Sequence, residues 1–335
     1  MIEALFYKPL ENGRVQCTLC PRYCKIKPGQ HGFCYVRKNI DGKLYSLSYS
    51  KPFAINVDPI EKKPLFHVLP GTKILSLGTA GCNMACKFCQ NWDLSKAKLD
   101  QQRAMDIPPF RIVQMALHYN TPSLAYTYNE PTVFAEYVME IAKLGKEYNL
   151  KNVMVTNGYI TPEAIPTVYA NIDAANVDLK AFNQKFYSSL TLSKLEPVLN
   201  TLKILKSLGI WIEITNLIIP NHNDSLNEIT SMCEWILTEL GEYIPLHFTA
   251  FHPDYKLTAE PPTKPSLLLK AQKRALEIGL KYVYVGNIAH PEASNTYCHN
   301  CKTILIQRDW YRTQILNFQD GRCQVCGESI PGIFA

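Results

Sequence analysis

Three cysteines lie within eight residues, at Cys82, Cys86 and Cys89. They follow an apolar segment, residues 74–77, that predicts a β-strand, so they occupy a loop at the strand's carboxyl end. Three thiolates can hold three irons of a cubane cluster and leave the fourth iron open to a substrate or cofactor. The alternatives for these three cysteines are a metal knuckle completed by a distant fourth ligand, or thiols packed in the core. We favour the open cluster because this loop lacks the paired CxxC pattern of a closed site.

Eight further cysteines form two sets of four near the ends of the chain. Two CxxC pairs in the C-terminal set indicate a closed tetrahedral site; we expect zinc, although a rubredoxin-like iron would use the same ligands. The N-terminal set could hold zinc or an auxiliary iron–sulfur cluster; its spacing does not separate the two, and we favour zinc. The N-terminal ligands are Cys17, Cys20, Cys24 and Cys34, and the C-terminal ligands are Cys298, Cys301, Cys323 and Cys326.

Strands and helices alternate between residues 73 and 285. Seven nearly all-apolar segments predict strands covered on both faces, as in a parallel sheet. Amphipathic segments between them predict helices, and a capping box from Ser225 to Glu228 is expected to open one. This alternation predicts an α/β fold with a full or partial (β/α) TIM-type barrel. The predicted strands are 74–77, 124–128, 152–156, 174–179, 211–219, 246–251 and 282–285.

The two ends of the chain do not share this alternation. They are rich in cysteine, glycine and proline, and each is too small to enclose a substantial core. Bound metal is therefore the expected source of their stability. We predict three parts: an N-terminal four-cysteine segment, 1–71; the barrel, 72–288; and a zinc-ribbon or rubredoxin-like segment, 289–335.

Composition narrows the class of protein. The 335 residues are 47% hydrophobic and 19% charged, which fits a folded globular protein and excludes a disordered or fibrous one. No apolar run approaches the roughly 20 residues of a membrane helix, and the N-terminus does not resemble a secretory signal. We expect a cytoplasmic protein, where reduced thiols favour metal sites over disulfides. A net charge of +6 without a long basic cluster makes RNA an alternative partner that we do not favour.

The spacing CxxxCxxC, with the aromatic Phe88 before its last cysteine, resembles the signature of the radical S-adenosylmethionine (SAM) superfamily. The sequence CKFCQNWD is similar to the corresponding loop of pyruvate formate-lyase-activating enzymes. The sequences CTLCPRYC, GQHGFCYVR, YTYNEP and the terminal IPGIFA more closely resemble one branch, the radical SAM proteins of the AmmeMemoRadiSam system. The resemblance extends along the whole predicted barrel.

This resemblance implies a [4Fe–4S] cluster on the three-cysteine loop, residues 82–89, with SAM at the open iron. An electron from a donor such as flavodoxin or ferredoxin would cleave SAM to methionine and a 5′-deoxyadenosyl radical, which abstracts hydrogen from the substrate. We therefore expect a radical SAM enzyme. Its substrate is a glycyl-radical enzyme to be activated or, alternatively, a small molecule or RNA. A non-enzymatic zinc-binding interaction protein is the alternative from another class.

The same resemblance implies that the Glu130 carboxylate binds the amino group of SAM. This residue stands where the family's Gly-Gly-Glu motif places its carboxylate, and Tyr128 and Asn129 replace the two glycines. An ordinary acid near a helix start, favoured by the helix dipole, is the alternative for Glu130. We prefer the ligand role because the residue follows a predicted strand, where barrel enzymes place their chemistry.

Asp178 and Lys180 resemble the Asp-Leu-Lys of the activases and are expected to bind the methionine carboxylate of SAM. Val155 replaces an aspartate that helps to hold a cation there, which removes one charge from that site. The remaining residues assigned to the SAM site are Phe88, Asn91, Thr127, Asn157 and His252.

Overall fold

The computed structural model describes residues 1–97 and 105–335, and its first fifty residues form two small antiparallel sheets. One has the order β1-β6-β5 and the other β2-β3-β4. The strands are β1 Ile2–Glu3, β2 Tyr7–Pro9, β3 Val15–Cys17, β4 Lys25–Ile26, β5 Arg37–Ile40 and β6 Lys43–Ser46.

A sheet of eight strands forms the centre of the molecule. Its strands are β7 Ala54–Pro59, β8 Lys73–Gly78, β9 Ser123–Tyr126, β10 Lys151–Thr156, β11 Ala174–Asp178, β12 Trp211–Ile218, β13 Leu246–Ala250 and β14 Val283–Gly286. They follow one another in sequence order across the sheet; β8 to β14 are parallel, and β7 is antiparallel to β8. The parallel strands confirm the predicted α/β fold. Since β7 and β14 are the two edges, the described sheet is a partial barrel.

Eight α-helices of the described residues accompany this sheet. They are α1 Trp92–Ser95, α2 Pro109–His118, α3 Ala135–Glu147, α4 Ile165–Val168, α5 Gln184–Phe186, α6 Leu195–Ser207, α7 Leu226–Trp235 and α8 Pro265–Ile278. Of these, α2, α3, α6 and α8 pack directly against the strands of the sheet. The longer ones bury one apolar face, as amphipathic helices do. No helix of the described part is long and apolar enough to cross a membrane.

The predicted capping box at the start of α7 is wrong. The Ser225 side chain makes no capping hydrogen bond. The Glu228 carboxylate instead accepts hydrogen bonds from Phe182 N at 2.8 Å and Asn183 Nδ2 at 2.6 Å. Glu228 therefore ties α7 to the connection that follows β11.

The C-terminal strands form a ribbon that packs on the edges of the main sheet. They are β15 Thr296–Tyr297, β16 Ile304–Asp309, β17 Arg312–Ile315, β18 Phe318–Gln319 and β19 Arg322–Cys323. Leu305 and Ile306 of the ribbon share an apolar core with Tyr284 of β14 and with Phe66, which follows β7. The buried Arg308 guanidinium donates to Phe66 O at 2.8 Å. The ribbon thus contacts both edges of the partial barrel.

A buried polar network lies beneath the ribbon. The Glu213 carboxylate accepts hydrogen bonds from Phe66 N, His67 N and His247 Nε2 at 2.9, 2.8 and 2.7 Å. His67 Nε2 lies 2.6 Å from the Tyr284 hydroxyl. Burial lowers the pKa of His67 to about 4, so its imidazole is neutral at pH 7.

Candidate functional site

One cavity opens at the carboxyl ends of the parallel strands. Counted with its open mouth, it has a volume of ≈ 1530 Å³. Its walls come from the ends of all seven parallel strands and the loops that follow them. Besides the three cysteines of residues 82–89, the predicted site residues on its wall are Phe88, Asn91, Thr127, Tyr128, Asn129, Glu130, Asn157, Asp178 and Lys180.

The sulfur atoms of the three-cysteine loop face this cavity. Cys82 Sγ accepts a hydrogen bond from Met84 N at 3.4 Å, and Asn157 Nδ2 lies 3.8 Å from the same sulfur. Burial raises the pKa of Cys82 and brings that of Cys86 to about 11. Free thiols would therefore stay protonated at pH 7, whereas bound metal deprotonates a thiol. The chemistry of these donors fits an iron–sulfur cluster.

Contacts with neighbouring elements hold the loop in place. Ala85 N donates to Thr191 O at 2.9 Å, in the connection between β11 and α6. Lys96 Nζ donates to Met84 O at 2.8 Å. Phe88 is 3% exposed and turns its ring to the cavity wall. The loop is therefore anchored from both sides, which fixes the positions of its sulfur atoms.

Glu130 is a buried carboxylate with four hydrogen bonds, and it is 3% exposed. Its Oε1 accepts from Thr132 N at 3.0 Å, Thr132 Oγ1 at 2.6 Å and Thr156 Oγ1 at 2.7 Å. Its Oε2 accepts from Asn157 N at 2.8 Å. Burial raises the pKa of Glu130, and these hydrogen bonds oppose that shift. Because Oε2 has a single donor among these bonds, it can accept another from a ligand in the cavity.

Tyr128 and Asn129 use their side chains within the protein. Tyr128 has a φ of +69°, and its hydroxyl donates to Asp58 Oδ2 at 2.6 Å. Asn129 Nδ2 donates to Gly81 O at 2.8 Å, and its Oδ1 accepts from Thr79 N at 2.9 Å. Asn129 thus fixes the backbone immediately before the three-cysteine loop.

Asp178 and Lys180 form an ion pair in the cavity wall, with 2.9 Å between Oδ2 and Nζ. Burial acts to lower the pKa of Lys180, but the Asp178 carboxylate and the Cys86 sulfur together raise it above its ordinary value. Lys180 is therefore an ammonium group, and its Nζ lies 5.8 Å from the centre of the Phe88 ring. Val155 lines the same cavity, and its apolar side chain adds no carboxylate to that of Asp178.

His252 lies outside the described wall of the cavity. It is exposed, and its Nε2 lies 3.0 Å from Nε2 of Gln90, which does line the cavity. Asn91 is exposed on the wall at the start of α1. Thr127 is held by a hydrogen bond from its N to Leu77 O at 2.9 Å.

Sequence reasoning missed a buried lysine in this cavity. Lys63 is 2% exposed, and its Nζ donates to Asp58 Oδ2 at 2.6 Å and lies 4.8 Å from the centre of the Tyr128 ring. Burial lowers the pKa of Lys63, and the Asp58 carboxylate opposes that shift. The only signal in the sequence is the pair Lys62-Lys63 before Pro64.

The C-terminal four-cysteine site is compact. Its four sulfur atoms lie within 4.8 Å of one another, with 3.6 Å between Cys298 and Cys326 and 3.7 Å between Cys301 and Cys323. Four bonds of about 2.3 Å to one tetrahedral ion would place sulfurs roughly 3.8 Å apart. The structure therefore contains a four-cysteine site for a single ion, and zinc remains the prediction for its metal.

The N-terminal cysteines also converge, but with wider spacing. Cys17, Cys20, Cys24 and Cys34 line one cavity. Within residues 1–97 and 105–335, the C-terminal set forms the single group of three or more potential ligands whose ligand atoms all lie within 4.8 Å. The N-terminal sulfurs, like those of the three-cysteine loop, therefore do not form such a group.

Comparison with known proteins places this geometry in context. The family model described as the radical SAM superfamily matches residues 76–236. An uncharacterized protein of Methanocaldococcus jannaschii is 46% identical over 332 residues, which cover 98% of this chain and 99% of the relative. Another protein of that organism, provisionally named a glycyl-radical enzyme activating enzyme, is 27% identical over 65% of this chain and 80% of its own length.

A solved structure shares the fold. Streptococcus suis SuiB bound to S-adenosylmethionine superposes with a TM-score of 0.52 at 13% identity. The match covers 72% of this chain and 56% of SuiB. At this identity, the similarity concerns the fold alone.

Proposed function

The chain belongs to the radical SAM superfamily, and we propose that it cleaves SAM reductively with a [4Fe–4S] cluster held by Cys82, Cys86 and Cys89. The observation that carries this proposal is the single cavity at the carboxyl ends of the parallel strands. It brings together the three-cysteine loop, the Glu130 carboxylate and the Lys180 ammonium group. These groups match, in charge and donor type, the parts of SAM that must be bound.

The chain's own residues would bind and orient SAM. When bound and reduced, the cluster would supply the electron that splits SAM into methionine and a 5′-deoxyadenosyl radical. Oε2 of Glu130 would accept hydrogen bonds from the SAM ammonium group, and Lys180 Nζ would donate to the SAM carboxylate. Phe88, Val155 and Leu217 contribute apolar wall to the cavity and would keep water from the reacting atoms.

Production of 5′-deoxyadenosine tests this activity. The protein would be reconstituted anaerobically with iron and sulfide, reduced with dithionite and given SAM, and the nucleoside measured by chromatography. Cys89→Ala should abolish the product. Cys233→Ala, a change at a buried core thiol, should retain it. A wild-type protein with a fully loaded cluster and no product would contradict the proposal, and zinc without labile sulfide would favour a non-enzymatic interaction protein.

For the substrate, we infer a glycyl-radical enzyme. This inference is supported by the relative named as a glycyl-radical enzyme activating enzyme and by the sequence CKFCQNWD. Radical SAM enzymes generally receive electrons from flavodoxin or ferredoxin, and we expect such a donor here. A glycine-centred radical signal should appear in a partner glycyl-radical enzyme after incubation with the reduced, SAM-loaded protein. A mass change in a small molecule or RNA, without that signal, would favour direct modification.

A further inference from the structure

The N-terminal four-cysteine site is built by one hairpin and the loop that follows it. Cys17 ends β3, Cys20 and Cys24 lie between β3 and β4, and Cys34 precedes β5. A hydrogen bond from Cys17 N to Cys24 O at 3.0 Å closes the hairpin. All four cysteines are free thiols that line the same cavity. Four metal ligands therefore converge on one place in the fold.

Sulfur spacing distinguishes this site from the C-terminal one. Around a single ion, four sulfurs come as close together as those of the C-terminal site. In the part of the chain that the structure describes, no three N-terminal sulfurs lie within 4.8 Å of one another. In an iron–sulfur cluster, four cysteines are divided among two or four irons, so no three of them come as close together as around one ion. In this respect the N-terminal site resembles the three-cysteine loop, whose sulfurs likewise do not form such a compact group.

Positive charge adjoins these thiols. The guanidinium groups of Arg22 and Arg37 line the same cavity. Arg37 is paired with Glu136 at 2.9 Å, whereas Arg22 Nη2 donates to the neutral carbonyl of Leu192 at 2.6 Å. A cluster bound by four thiolates carries a net negative charge, which the cation of Arg22 in the same cavity would partly offset.

The site lies directly behind the three-cysteine loop. Gly81 has a φ of +87°, and a Cβ at this position would lie 2.3 Å from Cys34 O. Given standard backbone dimensions, the Cα atoms of Cys34 and Cys82 are within about 10 Å of each other. Asn83 lines the N-terminal cavity, and its Oδ1 accepts from Asn157 Nδ2, in the wall of the main cavity, at 2.9 Å.

We propose that the N-terminal four-cysteine site holds a second iron–sulfur cluster, in place of the zinc expected from the sequence. With four protein ligands, this cluster has no open iron for SAM. Its short distance from the three-cysteine loop would place the two clusters close enough to interact magnetically. The ligands of this second cluster all lie in the N-terminal segment, and the proposal does not depend on SAM cleavage.

Metal analysis of the triple variant C82A/C86A/C89A tests the proposal. This variant lacks the ligands of the main cluster and keeps the N-terminal site. After anaerobic reconstitution it should retain about four iron and four sulfide per chain, or about two of each for a smaller cluster, and should give a paramagnetic signal on reduction. Zinc at the N-terminal site with no sulfide, or a disulfide found there by mass spectrometry, would overturn the proposal.

Two added variants serve as controls in the triple-variant background. C17A/C20A should remove the remaining iron and sulfide, and C233A should leave them unchanged. If C17A/C20A does not fold, the wild-type protein still gives a test. Its reduced spectrum should show broadening or splitting from two neighbouring clusters, which the triple variant lacks. A wild-type spectrum without this interaction, at full loading of both sites, would refute their proximity.

Discussion

Glu130→Gln separates the structural role of this carboxylate from its proposed role in binding SAM. A glutamine can turn its oxygen toward Thr132 and Thr156, the donors to Oε1. Its NH₂ group would then face Asn157 N, which is 2.8 Å from Oε2 in the native protein. The glutamine NH₂ and the Asn157 N–H would then be two buried donors facing each other. Leaving a buried polar group without a hydrogen-bond partner lowers the free energy of unfolding by about 1–3 kcal/mol. The variant should therefore unfold at a lower denaturant concentration.

The same change removes the negative charge proposed to bind the SAM ammonium group. A hydrogen bond to a charged partner contributes about 1.5–3 kcal/mol, and each 1.4 kcal/mol changes affinity about tenfold. The Kd for SAM should therefore rise on the order of 10- to 100-fold in Glu130→Gln. Anaerobic equilibrium dialysis, at matched iron and sulfide content, measures this change.

Thr156→Val is the matched control. It removes one hydrogen bond to Glu130 and leaves the carboxylate charge in place. Its Kd for SAM should stay within about threefold of the wild-type value, because the ionic contact is retained. The reasoning is refuted if iron-loaded Glu130→Gln binds SAM as tightly as the wild type, or if Thr156→Val loses as much affinity.

Three further changes have defined outcomes. Gly81→Ala should destabilise the fold by roughly 1–3 kcal/mol in denaturant titrations, because its Cβ would meet Cys34 O at 2.3 Å. Gly209 has a similar φ of +72°, but a Cβ there would meet no atom within 4 Å, so Gly209→Ala should lower the free energy of unfolding by less. Equal losses of stability in the two variants would show that the contact with Cys34 O is not the cause. Lowering the pH from 7 to 5 should cost about 2 kcal/mol of stability, because the unfolded chain protonates His67 near pH 6.5, whereas the folded protein, with a pKa of about 4, does not. His67→Asn should lose less stability between pH 7 and pH 5 than the wild type. An equal loss in both proteins would show that His67 is not the group responsible. A zinc chelator should release one ion per chain from the C-terminal four-cysteine site and lower Tm without loss of sulfide; loss of sulfide in parallel would show that this site is not independent.

The parallel strands could be predicted because burial on both faces leaves a local signal, an uninterrupted apolar segment. Strand β7 could not be predicted in this way. Two of its six residues are exposed, and it lies in the cysteine-rich segment before residue 72. The strand joins the main sheet through its pairing with β8, a contact that its own sequence does not encode.

In the cavity, the cysteines could be predicted because the spacing of metal ligands is visible in a few residues. The burial of Lys63 could not, because it depends on Asp58 from β7 and on Tyr128 after β9. Likewise, the capping box failed because Glu228 bonds to a segment more than forty residues away. The burial of Lys63 and the hydrogen bonds of Glu228 both depend on residues that are distant in the sequence, which a local pattern does not reveal.

The long separation in sequence between the ribbon and Phe66 has a consequence for biosynthesis. Arg308 and its partner Phe66 are separated by 242 residues, so this contact can form only after the segment between them and Arg308 itself have left the ribosome. Until the ribbon folds around its metal, Phe66 and Tyr284 would remain uncovered at the edges of the sheet. The supply of that metal would then set how long the newly made chain exposes apolar surface to chaperones and proteases.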